Sequence, residues 1–173
     1  SVSFSFINEW WEAYESFNDF RMSATMDCYL KGLQDPRLAA YFKVAKKDGE
    51  YHGVRNGQTS RSQGTLSEAA SSMNVGQASS ILWMDAAETY FLLAEAKLRL
   101  NLGDKTVKEY YEEGVKTSFS SKGASGAESY LDNDVNVPSI SYIDPTNGRN
   151  TDVSRMVSNL TVKWDESVSD DKK

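Results

Sequence analysis

Between Met84 and Gly123 the chain reads MDAAETYFLLAEAKLRLNLGDKTVKEYYEEGVKTSFSSKG, with apolar residues recurring every three or four positions. Ala87, Phe91, Ala94 and Leu98 share one helical face, broadened by Tyr90 and Leu102. Gly103 can adopt left-handed backbone without steric cost and so stops this first helix, expected over about 84–102. Asp104 or Thr106 can cap the free amides of a second, over about 106–121. That helix offers Val107, Tyr110, Tyr111, Gly114, Val115 and Phe119 to a partner, and Lys122-Gly123 again has stop chemistry. The spacing therefore predicts a helical hairpin. One hairpin cannot bury both of its sides, so further elements must pack against it.

Two helices of this size joined by a short turn resemble a tetratricopeptide unit, with the small Ala96 seven residues before Gly103. A chain of 173 residues can hold one domain with a core, burying roughly 70% of its unfolded surface. Aromatic residues at 12% and charged residues at 25% exclude a disordered chain. The net charge of −6, with basic residues scattered, repels phosphate backbones and argues against nucleic-acid binding. Cys28 is the only cysteine, which rules out an internal disulfide and a cysteine-ligated zinc site, and it reads as a small buried apolar residue. No apolar run approaches the ~20 residues of a membrane span. The start SVSFSF is neither a Met start nor a signal sequence, and the charged tail 168–173 closes no helix, so an internal piece of a longer product is expected.

Phe6–Phe20 is crowded with aromatics, with Trp10, Tyr14 and Phe17 on one helical face and Trp11 pointing elsewhere. Burial is favoured there over a ligand platform. Helix is expected to continue to about residue 31, with Met22, Met26, Tyr29 and Leu33 at helical spacing and the methionines as adaptable core. Asp35-Pro36-Arg37 is a start signature for a short helix over about 35–43. Residues 46–80 then turn to Gly, Ser, Asn and Gln and are expected to form one long loop. Long loops in compact domains are commonly functional. This one holds Tyr51, the only histidine His52, Arg55 and Asn56. An aromatic ring beside a forked donor and an amide suits a polar, hydroxyl-rich ligand, while the alternative is a surface turn in which Arg55 and Asn56 satisfy local carbonyls.

A short helix is expected over about 125–132, followed by an extended segment over 133–167. Asp132, Asp134 and Asn136 alternate like the start of a calcium loop, but Val137 stands where glycine is needed and Ile143 where a bidentate Glu is needed, so no metal site is assigned. Pro138, Asp144-Pro145 and Asn147-Gly148 make 137–150 turn-rich, and Leu160, Val162 and Trp164 alternate as in a short strand. Catalytic constellations are missing. The single histidine lacks a nucleophile and an orienting acid, and Glu112-Glu113 diverge by about 100° on a helix, which suits a solvated face. No phosphate-binding, dinucleotide or zinc-protease motif occurs. The residues point to binding, with no cofactor, and not to an enzyme.

Five strings in order, DFRMSATMDCYLKGLQDPRLAAYF, GEYHGVRNGQ, ILWMDAAETYFLLAEAKLRL, YYEEGVKTSFSSKGASGAESYL and TVKWDES, resemble the SusD/RagB-like nutrient-binding outer-membrane lipoproteins of Bacteroidetes. The resemblance runs from about Asn18 to Ser167. It implies an all-α fold of tetratricopeptide-like helical hairpins forming an α-superhelix with long irregular loops, of which residues 1–173 would be one partial domain. It also implies a lipid-anchored, outward-facing protein of the outer membrane that captures oligosaccharide or another nutrient for a TonB-dependent transporter. The lipidation cysteine of that family is not in this stretch, and Cys28, inside an expected helix, is no substitute. The family has no fixed ligand motif, so Tyr51, Arg55 and Asn56 stand as ligand-binding candidates on loop chemistry alone. The rival expectation is a soluble helical-repeat module that binds protein partners, which accounts for the hairpin but not for the other strings.

Overall fold

A computed structural model describes residues 2–5, 11, 14, 17, 20–57 and 62–170. In chain order its elements are β1 (Val2–Ser5), α1 (Ala24–Gly32), α2 (Leu38–Tyr41), α3 (Gln63–Ala69), β2 (Ser80–Met84), α4 (Ala86–Leu100), α5 (Val107–Ser121), α6 (Ala127–Leu131), β3 (Ser141–Ile143) and β4 (Asn150–Asp152). The protein is mainly helical, with two two-stranded sheets, β1–β2 and β3–β4. It divides into two compact units, one built on residues 81–135 and 161–170, the other on 20–80 and 136–160.

The first unit is organised by the hairpin of α4 and α5, which pack along their lengths. Met84 belongs to β2, so α4 starts after Asp85, whose carboxylate accepts from the Ala87 amide at 3.1 Å. The stop is Asn101 and not Gly103. Asn101 itself takes the left-handed conformation (φ 54°), which a short polar side chain tolerates, and its amide bonds the Lys97 carbonyl at 3.0 Å. Gly103 (φ 97°) serves a different purpose: a Cβ there would stand 2.6 Å from the Tyr110 hydroxyl, which donates to Asp104 at 2.7 Å. Thr106 is the cap of α5, in a reciprocal box with Glu109. Gly114 lets the Phe91 ring approach, since a Cβ would lie 2.7 Å from it. Val115 and Phe119 are buried, and Phe119 meets Tyr130 of α6 with ring centroids 5.3 Å apart.

The strand expected around Val162 does not form. Its backbone is claimed elsewhere, because the Val162 carbonyl accepts from Tyr111 Oη at 2.6 Å and the Lys163 amide bonds the Asn133 carbonyl at 3.0 Å. Trp164 then packs on Tyr111. Part of the expected apolar stripe stays open: Ala87 and Ala94 are buried, but Phe91 is 39% exposed, and on α4's other side Leu92 and Leu100 are 59% and 67% exposed.

In the second unit the expected helix over 6–31 begins its continuous, fully described turns only at Ala24. Residues 6–10, with Trp10, lie outside the described residues, Trp11, Tyr14 and Phe17 are helical, and 20–23 are extended or bridged. Tyr14 is buried, with its hydroxyl on the Met73 carbonyl at 3.0 Å, whereas Phe17 is 63% exposed. Met22 is fully buried and Met26 is not. The short helix expected over 35–43 covers only Leu38–Tyr41, with Arg37 and not Asp35 at its N-cap; Asp35 instead holds the turn before it, accepting from the Arg37 amide at 2.9 Å and pairing with the Arg37 guanidinium in a bidentate contact. The segment 46–80 is not loop throughout. Ser62 caps α3, its hydroxyl accepting from Thr65 N at 3.2 Å, and Gly64 sits in the first turn, where its cost is small. Residues 141–152, within the segment expected to be extended and turn-rich, close into an antiparallel hairpin with Tyr142 opposite Thr151, around a turn in which Asp144 accepts from the Thr146 amide. Tyr142, Cys28 and Val153 form a core with Ala24 and Val157 packed against it, and burial pushes the Cys28 thiol above its ordinary value.

Candidate functional site

The chain from Glu50 to Gly57 carries all three candidate residues and is fixed at its middle. Gly53 passes so close to the start of α1 that a Cβ would lie 2.7 Å from the Ser23 carbonyl carbon and 2.8 Å from Asp27 Cβ. On either side, Val54 exchanges backbone bonds with α1's lead-in: its amide reaches the Met22 carbonyl and its carbonyl takes the Ala24 amide, each at 2.8 Å. The Gly53 amide donates to the buried Asp27 carboxylate at 2.9 Å, and the Gly53 carbonyl accepts from Tyr142 Oη at 3.1 Å. Asp27 Oδ1 is answered by charge alone, with Lys31 Nζ 2.8 Å away but out of hydrogen-bonding line. Burial, helped by the charges of Asp144 and Asp27, pushes the Tyr142 phenol up to about 12. A residue with any side chain would break this junction.

His52 is spent inside the segment. Its Nε2 lies 2.9 Å from Asp48 Oδ2, and its amide and carbonyl both bond Ser71. The Asp48 carboxyl is held below its usual range, chiefly by the Glu50 amide and also by the imidazole.

Past the Gly53 junction the chain turns outward at Asn56-Gly57, with Gly57 at φ 71°. Arg55 and Asn56 are exposed and stand at a cavity of about 180 Å³. Ala24, Cys28, Val153 and Val157 give it an apolar floor. Ser23, Thr25 and Met156 complete the lip. Neither the Arg55 nor the Asn56 side chain makes a hydrogen bond or ion pair among the described residues, so the surface turn in which they satisfy local carbonyls is not what forms. Tyr51 is half-buried and does not line the cavity. It precedes Arg55 by four residues, which span at most ~13 Å even when fully extended.

The loop composition pointed to Arg55 and Asn56, but the rest of the cavity had no local signal. Val153, Met156 and Val157 come from a segment about a hundred residues downstream, brought in by the β3–β4 hairpin. Ser23 was findable as a cap at the head of an apolar helical pattern. Among the described residues no three His, Cys, Asp or Glu side chains cluster to hold a metal. The paired acids of α5 are each engaged by a lysine, Glu113 by Lys105 at 2.9 Å and Glu112 by Lys108 at 3.7 Å. No helix among the described residues is long and apolar enough to cross a membrane.

Residues 1–173 match the family described as SusD-like, the SusD and RagB outer membrane lipoproteins. No curated protein sequence matches the chain. Among solved structures it is similar to a SusD homologue from Bacteroides thetaiotaomicron VPI-5482, with 37% identity, a TM-score of 0.81, and coverage of 92% of this chain and 33% of that one. A chitin-binding SusD homologue from Flavobacterium johnsoniae aligns with 37% identity and a TM-score of 0.83, covering 93% of this chain and 33% of that one. A SusD-like protein from Bacteroides thetaiotaomicron VPI-5482 aligns at 28% identity with a TM-score of 0.84, covering 94% and 34%. The chain thus spans about a third of the length of these relatives.

Proposed function

Given that the chain belongs to the SusD-like family of outer-membrane lipoproteins, we propose that it is part of a non-enzymatic receptor that binds a glycan, or another nutrient, at the outward face of the outer membrane and passes it to a TonB-dependent transporter. The observation that carries the binding site is the pair Arg55 and Asn56, whose polar groups have no partner among the described residues, beside a cavity with an apolar floor. A guanidinium and an amide make directional bonds to hydroxyls, and the floor keeps water off one side of the ligand. Tyr51, one junction upstream, offers its ring to a longer ligand. The relative named as chitin-binding supports a glycan as the ligand class. The α4–α5 hairpin is scaffold in this proposal: its polar groups serve its own caps and turn.

Isothermal calorimetry of the intact polypeptide against a panel of oligosaccharides tests this. At least one glycan should bind, and Arg55→Ala and Asn56→Ala should each weaken it by about tenfold, as expected for loss of a hydrogen bond worth ~1.4 kcal/mol. Tyr51→Ala should weaken binding of long oligosaccharides and leave the shortest ligand unaffected. Unchanged affinity in both Arg55→Ala and Asn56→Ala would remove the site.

A further inference from the structure

We propose that this cavity accepts a single carboxylate-bearing sugar residue at the end of a glycan, an inference that rests on the glycan-binding proposal above. Among the described residues Arg55 is the only charged one lining the cavity, and no described acid lines it. Its guanidinium offers donors in a fork that matches a carboxylate. The neighbouring lip is also rich in donors. Asn56 and Thr25 have no side-chain bonds among the described residues, and Ser23 Oγ already accepts from the Met26 amide at 3.2 Å, which leaves its proton to be donated outward. A carboxylate pairs the Arg55 charge, which a neutral sugar hydroxyl does not, and the apolar floor of Ala24, Cys28, Val153 and Val157 shields one side of that bond from water.

Size and charge narrow the ligand further. Pockets for drug-sized molecules run to about 300–1,000 Å³. A cavity of about 180 Å³ takes one terminal residue and not a chain threaded through it. The net charge of −6 on this chain opposes a polyanion, so one carboxylate at the end of an otherwise neutral glycan is the form that fits.

The test compares a glucuronate-terminated disaccharide with its glucose-terminated counterpart on the intact polypeptide by calorimetry. The acidic disaccharide should bind about tenfold more tightly than the neutral one. Arg55→Gln should weaken both disaccharides but the acidic one further, erasing the preference, while Arg55→Lys should keep part of it. Because Arg55 is exposed, Arg55→Gln should melt within about 2 °C of the parent chain by circular dichroism, which shows that the fold is intact. Equal affinities, both lowered by Asn56→Ala, would overturn the acid specificity while leaving the glycan site standing. No binding of either disaccharide would overturn both. A preference that survives in Arg55→Gln would overturn the role of Arg55 and the proposal with it.

Discussion

Replacing Gly53 by alanine should be among the most damaging single-methyl changes in this protein. The reason is proximity and not backbone conformation, since Gly53 is not among the residues with positive φ. The added Cβ would press on the Ser23 carbonyl group and on Asp27 Cβ, within 2.7 and 2.8 Å of their carbons. Two of these neighbours are backbone at the head of α1 and cannot swing aside. Overpacking of this kind costs ~1–3 kcal/mol. The segment can relieve it only by withdrawing, which breaks the Gly53 amide bond to the buried Asp27 carboxylate, a charged acceptor worth ~1.5–3 kcal/mol. The two costs are alternatives more than a sum, so a loss of ~2–3 kcal/mol is expected. For a chain of this size that lowers Tm by about 5–10 °C. Circular dichroism melts of wild type and Gly53→Ala measure it. Gly76→Ala is the control, because Gly76 lies in the same polar segment with ordinary φ and nothing within 4 Å of a Cβ. The control should melt within about 2 °C of wild type, as surface changes worth under ~0.5 kcal/mol do. If Gly53→Ala melts with its control, the junction does not hold the loop.

Tyr142→Phe removes the hydroxyl that reaches the Gly53 carbonyl and should cost ~1 kcal/mol in urea unfolding near neutral pH. The phenol's folded value is raised from 10.0 to about 12, so its contribution is full below pH 10 and lost as pH climbs through about 12; stability of Tyr142→Phe should therefore fall less steeply over that window. Thr106→Ala deletes the α5 cap and should destabilise the hairpin by ~1 kcal/mol in the same assay. The Thr106 amide and, secondarily, its hydroxyl hold the Glu109 carboxyl below its ordinary value, so that contribution is present above the usual Glu range and lost on acidification, and the variant should lose less on acidification than wild type. Prepared as 173 residues, the chain should self-associate through the exposed Leu92 and Leu100 of α4 and the exposed Trp83 and Met84 of β2, which light scattering across concentrations would detect; a concentration-independent monomer would contradict it.

The hairpin was legible because everything that makes it is local. Apolar spacing, the Thr106 cap and the turn residues act within a few positions, and each is visible in the string from Met84 to Gly123. Even there the stop moved from Gly103 to Asn101, because two residues only two positions apart could both supply left-handed backbone and only packing against Tyr110 gave Gly103 its separate purpose. The polar segment was legible as chemistry but not as shape. Its composition singled out Arg55 and Asn56, yet α3 within it depends on a cap at Ser62 that the surrounding Gly and Ser obscure.

By itself, then, the sequence determined the helical framework, the family and the residue types available for binding, since periodicity, capping and five ordered strings are properties of neighbours along the chain. Only the tertiary structure decided that Arg55 and Asn56 share a cavity with Val153, Met156 and Val157 while Tyr51 stands outside it. That arrangement hangs on contacts between residues far apart in the chain: Gly53 with Asp27 and Tyr142. A hydrogen bond across 89 positions leaves no periodic trace, because its energy depends on where two segments meet in space and not on what lies beside them in sequence.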